Sequence, residues 1–273
     1  MAVTVADINK LRQQTGAGMM DCKKALEESG GDFEKAIDYL RKKGAKIAAN
    51  RQDREAKEGY VLTKVKDNNK AILLSINCET DFVAKNQDFQ SFAEEIANIA
   101  IEKFPSDVEA LKKLPYNSDI TVNDKLMEQI AKIGEKIEIG YYTPLEANYI
   151  VSYIHPGNRL AVLVAFSKAI DPEAARNIAM QVAAMAPVSI DKNDVPQEVL
   201  ERELEIAREQ VKQEGKPADM VEKIAQGKLN KFFKESTLLN QEYIKDNKMT
   251  VGQYLQSVDK DCKIVAFKRY SLS

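Results

Sequence analysis

The sequence predicts an α+β protein with three parts: an N-terminal three-helix bundle, a core of two similar halves, and an inserted antiparallel helical hairpin. Two observations predict this. A pattern of β-hairpin, amphipathic helix, insertion and strand occurs twice, offset by about 90 residues. A heptad-like seam of apolar residues lies within the second copy. Each core half is expected to be a small antiparallel sheet covered by helices on one face.

The first 46 residues have the signals of three short helices. Thr4 and Asp7 form a capping box for the first helix. The second ends at Gly30-Gly31, and Asp32 caps a third that carries apolar residues at helical spacing as far as Gly44. Such a bundle is small, and a polar stretch that predicts a tether or helical linker follows it.

The core elements follow in the same order in both halves. Alternating apolar residues and turn residues predict each hairpin, and apolar positions at helical spacing predict the helix after it. The expected strands of the first half are 60–66, 71–78 and 137–142, with helices at 88–103 and 122–133. Those of the second half are 149–154, 160–166 and 264–270, with a helix at 172–186 that has Pro172 in its first turn.

The insertion in the second half predicts a protruding helical hairpin. Leu200, Leu204, Ala207 and Val211 form a heptad seam, and 215–217 (Gly-Lys-Pro) breaks the helix. A projection of this kind is a candidate contact arm or homodimer surface. The expected domains are 1–50 (bundle), 51–58 (linker), 59–143 (first half), 144–190 with 237–273 (second half) and 191–236 (hairpin).

Charge and composition exclude several classes of function. The chain has 40 basic and 42 acidic residues, so it lacks the net positive charge typical of non-specific nucleic-acid binding. The basic run Arg41-Lys42-Lys43 is either a local patch or, as we favour, a solvated helix end. The N-terminus has no leader pattern, and no apolar run could span a membrane. We therefore expect a cytoplasmic protein without membrane contact.

Three isolated cysteines and one histidine argue against a disulfide framework, a CxxC site or a metal site. No resident metal or other cofactor is expected. One alternative remains an enzyme in which Cys78 or Cys22 is a nucleophile and His155 its base. Another is an adaptor protein in which the bundle binds a partner and the helical hairpin only dimerises.

Two segments carry unusual composition. The string 15–26 (TGAGMMDCKKAL) places two glycines and the pair Met19-Met20 at the start of a helix. These methionines either fill the core of the bundle or form a docking surface. The string 80–86 (TDFVAKN) follows the second strand of the first hairpin. There, Asp81 could cap a helix while Phe82 packs in the core, or Phe82 could be an exposed wedge with a carboxylate beside it.

These two strings closely resemble signatures of the elongation factor Ts family, and the resemblance covers nearly the whole chain. It implies that the bundle has a ubiquitin-associated-like fold and that the protein is not an enzyme. It also implies exchange of guanine nucleotide on elongation factor Tu, with Thr80, Asp81, Phe82 and Val83 dislodging Mg²⁺ from that partner. A C-terminal helical module found in some members is expected to be lacking.

The resemblance further implies a set of partner contacts on the bundle and on the second half. The segment 153–159 (YIHPGNR) resembles the family's turn in the second half, although Pro156 separates the histidine from the glycine. The implied contact residues are Leu11, Arg12, Gly16, Met19, Met20, His155 and Gly157.

Overall fold

The computed structural model describes residues 3–215 and 217–272. The bundle consists of α1 (Val5–Thr15), α2 (Met19–Glu28) and α3 (Phe33–Asn50). The capping box that joins Thr4 and Asp7 is present. Gly16 ends α1 in the left-handed conformation, with φ of 68°. The α+β class and the three-helix bundle are confirmed.

The predicted end of the third helix is wrong, because α3 continues through Gly44 to Asn50. Gly44 is buried against α7 (Val122–Ile133), and a Cβ atom at this position would lie 2.2 Å from the carbonyl oxygen of Met127. The glycine thus permits close contact between two helices. The basic run is also in the middle of a helix, where Arg41 lies 3.8 Å from Glu128 of α7. The helix-end explanation for that run is therefore wrong.

The first core half is a three-stranded antiparallel sheet in the order β1-β2-β3. Its largest helix, α5, covers one face through a cluster that includes Leu62, Ile72, Leu74, Phe89 and Ile96. The short helices α4 and α6 were not predicted. The elements are β1 (Glu58–Lys66), β2 (Lys70–Cys78), α4 (Asp81–Ala84), α5 (Gln87–Lys103), α6 (Val108–Lys113) and β3 (Glu138–Glu146).

The second half repeats this plan with the order β4-β5-β8 and with α8 on one face. A small two-stranded sheet and one further helix were not predicted; they pack beside α8. The elements are β4 (Tyr149–Ile154), β5 (Leu160–Phe166), α8 (Pro172–Met185), β6 (Glu242–Tyr243), β7 (Asp246–Thr250), α11 (Val251–Val258) and β8 (Ile264–Ser271).

The two sheets pack against each other through the faces that their helices leave open. Val61 and Leu73 of the first sheet contact Ile150 and Leu163 of the second. The layers are therefore helix, sheet, sheet, helix, and β2 is buried along nearly its whole length. The turn of the second hairpin is also bonded to the first half: Val61 N donates to Asn158 O at 2.8 Å, and Asn158 Nδ2 donates to Val61 O at 3.1 Å.

The predicted helical hairpin is formed by α9 (Gln197–Gln213) and α10 (Ala218–Ser236). Ala207 and Val211 are buried against Ala225 and Leu229, whereas Leu200 and Leu204 are half-buried. Lys216, within the predicted break, lies outside the described residues. Homodimer formation through this hairpin stays a prediction.

Two general features concern membranes and metals. Within residues 3–215 and 217–272, no helix combines the length and apolar character that crossing a membrane requires. The same part of the chain contains no group of three or more His, Cys, Asp or Glu side chains arranged to hold a metal ion.

Candidate partner-binding site

The segment after β2 forms a single helical turn that projects one aromatic side chain. Thr80 is the N-cap of α4, and its Oγ1 accepts a hydrogen bond from Val83 N at 3.4 Å. Ala84 is buried and Val83 packs against the first core cluster, so the turn is anchored on one side. On the other side the Phe82 side chain is 83% exposed. No other large apolar side chain among the described residues is more exposed, so this ring is accessible to a partner.

The alternative in which Asp81 caps a helix and Phe82 packs in the core does not fit this geometry. The cap is Thr80, and Phe82 lies outside the core. The carboxylate of Asp81 instead accepts a bond from Lys85 Nζ at 2.6 Å, one helical turn along. That hydrogen bond lowers the pKa of Asp81, so the side chain is ionised at neutral pH. The turn thus places an aromatic ring beside a carboxylate.

A second carboxylate fixes the start of this turn. Glu135, just after α7, accepts hydrogen bonds from Glu79 N and Thr80 N at 3.1 Å each. It also accepts one from Thr80 Oγ1 at 2.7 Å. The sequence analysis missed Glu135, because its partners lie 55 and 56 positions earlier and no local pattern connects them.

The turn borders a groove that reaches the second core half. This groove, of about 420 Å³, is lined by Asp81, Lys85, Gly157 and Arg159, among others. Arg159 is paired with Glu58 at the start of β1. The structure therefore brings Gly157, from the third family-like segment, together with Asp81, from the second.

His155 belongs to a different part of the surface. Its Nδ1 lies 3.0 Å from the hydroxyl of Tyr153, and the ring lines an apolar cavity of about 290 Å³ with Met180, Ala183 and Ile244. Gly157 adopts φ of 92° in the adjacent turn, which suits glycine. Gly157 and His155, both implied contact residues, thus line different recesses.

On the bundle, Met19 and Met20 are 49% and 74% exposed, and Arg12 is also exposed. These methionines are surface residues of α2 and not core fillers. Leu11, in contrast, is fully buried between the bundle helices. The side chain is therefore part of the bundle core, and the contact role of Leu11 stays a prediction. Gly16 is half-buried beside the aliphatic chain of Lys132.

The cysteine chemistry considered from the sequence lacks a suitable site. Cys78 is fully buried, and its Sγ donates to Thr80 O at 3.2 Å. Burial, assisted by nearby Glu135 and Glu58, raises the pKa of Cys78 to about 12. The reactive thiolate is thus disfavoured, and the histidine that would serve as base is bonded to Tyr153.

Comparison with known proteins decides the family. The family model described as Elongation factor TS matches residues 79–273, well over half of the chain. The chain belongs to the elongation factor Ts family. Proteins named Elongation factor Ts from Christiangramia forsetii and Porphyromonas gingivalis are 52% and 50% identical to it. The alignments cover 99% and 100% of this chain and 98% and 99% of those relatives.

A more distant relative of the same name, from Chloroherpeton thalassium, is 42% identical over 99% of this chain and 98% of its own length. Membership of the elongation factor Ts family implies a role in nucleotide exchange during translation elongation. The family consists of exchange factors rather than catalytic enzymes. The family match begins at residue 79, directly before the turn that carries Phe82.

Proposed function

We propose that this protein is the guanine nucleotide exchange factor of elongation factor Tu in the cytoplasm. It binds the GDP-bound partner, displaces Mg²⁺ through the turn formed by residues 80–83, and promotes GDP release so that GTP can bind. The observation that carries the proposal is the exposure of Phe82 on an anchored helical turn beside the ionised Asp81. No direct contact with nucleic acid is part of the proposal.

The geometry supplies the two properties that a wedge needs. An inserted ring must be accessible, and its base must resist being pushed back. Phe82 meets the first requirement with its exposed side chain. The bonds from Thr80 to Glu135, and the packing of Val83 and Ala84, meet the second. Such preorganisation reduces the ordering cost of binding.

Asp81 provides the electrostatic component. A GTPase retains GDP partly through Mg²⁺, which bridges the phosphate and the protein. A carboxylate brought near that metal shell competes for the positive charge, and Lys85 holds this carboxylate in place one turn away. By linkage, a factor that binds the nucleotide-free partner more tightly than the GDP-bound partner weakens the binding of GDP by the same ratio. A 1,000-fold weakening corresponds to about 4 kcal/mol of coupling.

Two further surfaces hold the partner while the turn acts. On the bundle, Arg12, Met19 and Met20 form an exposed cationic and apolar surface. On the second half, His155 and the neighbouring apolar cavity form another. Since the bundle packs on α7 and the sheets pack together, these surfaces and the turn have a fixed relation, as a rigid wedge requires.

The decisive experiment is the release of a fluorescent GDP analogue from elongation factor Tu, followed by stopped flow at saturating exchange factor. The wild type is expected to accelerate release strongly. Phe82→Ala and Asp81→Asn are each expected to reduce the saturating rate at least about 10-fold, an energy of about 1.4 kcal/mol. The matched control is Val265→Ala, which truncates a 49% exposed valine on the edge strand β8; it should exchange like the wild type.

Three outcomes separate the alternatives. Slow release by the variants together with intact complex formation supports the wedge. Failure of the wild type to accelerate release from an active, matched partner contradicts the exchange function. Wild-type rates for Phe82→Ala, combined with loss of all activity when residues 196–235 are deleted, favour an adaptor that acts through its helical hairpin.

A further inference from the structure

The turn that carries Phe82 is joined to the N-terminal bundle through two buried or half-buried carboxylates. Glu135 holds residues 79 and 80 with three hydrogen bonds, two from backbone N–H groups and one from the Thr80 hydroxyl. Glu79, one position before Thr80, points the other way: its carboxylate accepts from Arg51 Nη1 at 2.5 Å and from Arg54 Nη1 at 3.0 Å. Both arginines lie just beyond α3.

Lys136 bonds both Glu79 and the segment that follows α3. Lys136 N donates to the Glu79 carboxylate at 2.6 Å. Its side-chain Nζ donates to the carbonyl oxygens of Gln52 and Arg54 at 3.2 and 3.0 Å. The pair Glu135-Lys136 thus contacts the turn with its first residue and the segment after the bundle with its second. Residues 51–54, part of the stretch predicted to be a tether or helical linker, are therefore held to the core by charged groups.

The surroundings of Glu79 favour its ionised form. Partial burial raises the pKa of Glu79, but the bonds from Lys136 N, Arg51 and Arg54 outweigh it and bring the pKa below its ordinary value. Hydrogen bonds to charged groups are the stronger ones in proteins. The Glu79 side chain is 13% exposed and that of Arg51 26%, so this ion pair is less screened by water than a fully exposed pair, whereas Arg54 is 60% exposed and contributes less.

We propose that Glu79 and Glu135 are positioning residues for nucleotide exchange: together with Lys136, they form a latch that aligns the Phe82 turn with the bundle docked on the partner. This inference rests on the proposed exchange function. The latch does not touch the partner. It fixes the direction of the turn relative to α3, so that docking of the bundle delivers the wedge in one orientation.

A latch of this kind affects the rate at saturation more than the affinity. Removing it leaves Phe82, Met19, Met20 and the apolar cavity beside His155 in place, so the complex still forms. The turn then samples several directions, and fewer encounters displace the nucleotide. We expect the saturating rate of GDP release to fall about 10-fold, with the half-saturating concentration changed less than about 2-fold. Small errors in the position of a functional group lower rates strongly in active sites generally.

The experiment measures stopped-flow GDP release against exchange-factor concentration for three substitutions at one position. Glu135→Ala removes all three bonds, and Glu135→Asp shortens the side chain so that it no longer reaches Thr80. Both should lose the saturating rate. Glu135→Gln keeps an acceptor for the two N–H groups and can donate to the Thr80 hydroxyl, so it should retain most activity. A saturating rate that decreases from the wild type to Glu135→Gln and then to Glu135→Asp and Glu135→Ala is diagnostic of a positioning role.

Matched controls address charge and folding. Glu146→Ala removes a carboxylate of β3, which pairs with Lys70 at 3.6 Å outside the latch, and it should exchange like the wild type. On the other side of the latch, the double variant Arg51→Gln/Arg54→Gln should lower the saturating rate, whereas Lys57→Gln, which breaks the exposed pair with Glu55, should not. Circular dichroism and binding to the nucleotide-free partner verify that each variant folds and docks.

The failure of this inference differs from failure of the proposed function. Wild-type saturating rates for Glu135→Ala and for the double arginine variant would overturn the latch, while a slow Phe82→Ala variant leaves the wedge intact. A uniform loss of affinity with an unchanged saturating rate also contradicts it, since that pattern belongs to a docking residue. Absence of exchange by the wild type would instead refute the proposed function.

Discussion

The two core halves share one plan but end their second strand in opposite ways. After β2 the chain forms the α4 turn and exposes Phe82. After β5 the corresponding corner is closed: Ser167 exchanges hydrogen bonds with Lys263, Asn148 donates to Ser167 O, and Lys168 pairs with Asp259 at 2.8 Å. Its apolar residue, Ile170, packs against the second core. The connection after β5 thus packs its apolar residue against its own core, whereas the connection after β2 exposes an apolar ring.

This difference locates function within a repeated architecture. A hairpin followed by a covering helix needs an apolar residue in the connection to complete the core, and Ile170 meets that need in the second half. In the first half Val83 and Ala84 meet it, which leaves Phe82 without a structural role. The two copies thus differ by an exposed aromatic residue, the one to which the proposed exchange mechanism assigns the role of wedge.

The largest expected effect comes from shortening the apolar side chain in each of the two connections, Phe82 after β2 and Ile170 after β5, and comparing the two variants. Phe82→Ala should lower exchange strongly while changing the free energy of unfolding by less than about 0.5 kcal/mol, as is usual for exposed sites. Ile170→Ala should do the reverse, costing about 1–2 kcal/mol of stability with normal exchange by the folded protein. Urea unfolding and GDP release measure the two quantities. Equal losses of stability in both variants would contradict the comparison.

A second test compares two glycines in helix interiors. Gly44→Ala places a methyl group 2.2 Å from Met127 O, so α3 must move away from α7, at a cost of about 1–3 kcal/mol. Gly227→Ala, on α10, meets nothing within 4 Å and should stabilise the helical hairpin by up to about 1 kcal/mol. Thermal unfolding of the two variants should shift in opposite directions.

A smaller effect is expected at the contact between the halves. Asn158 adopts φ of 52° and bonds Val61 through both its backbone and its side chain. Asn158→Ala loses the side-chain bond and the tolerance for positive φ, and should cost about 1–2 kcal/mol. Asn158→Gly keeps the backbone tolerance, so it should cost less. Since both variants lose the side-chain bond, the opposite order in denaturant unfolding would show that the positive φ costs alanine less than glycine loses in conformational entropy on folding.

The smallest expected effect concerns Cys78. Since burial raises its pKa to about 12, the folded protein should resist alkylation of Cys78 by iodoacetamide at pH 8. In urea the thiol returns to its ordinary pKa and should react. Peptide mass spectrometry distinguishes the three cysteines. Rapid labelling of Cys78 in the native state would reopen the nucleophile hypothesis.

The sequence could predict what depends on neighbouring residues. Periodicity and capping predicted the bounds of α7 and of strands β4 and β5 correctly, because their signals lie within the elements themselves. It could not predict the role of Gly44, since a helix stop and a close helix contact both favour glycine. The short strands β6 and β7 were missed because they are defined by packing beside α8, whereas α11 has a local signal, the capping box of Thr250 and Gln253, that went unused.

The candidate site shows the same limit. The segment 80–83 was found because its composition is unusual and resembles a family signature. Glu135 and Glu79 were not, because acidic residues are common and only the fold brings them to Thr80 and Arg51. Leu11 was named as a partner contact by resemblance alone, whereas its apolar spacing with Ile8 favours the buried position that the structure shows. Chemistry that depends on contacts across 28 or 56 positions requires the structure.

The burial of β2 on both faces has a consequence for the order in which the protein opens. Backbone amides of a strand packed between a helical layer and a second sheet exchange with deuterium only when the whole domain unfolds. The Phe82 turn begins just beyond the end of that strand, so its base shares the slowest-exchanging unit of the molecule. The α9–α10 hairpin, with few buried residues, can fray and reclose many times while the turn remains in register with the core.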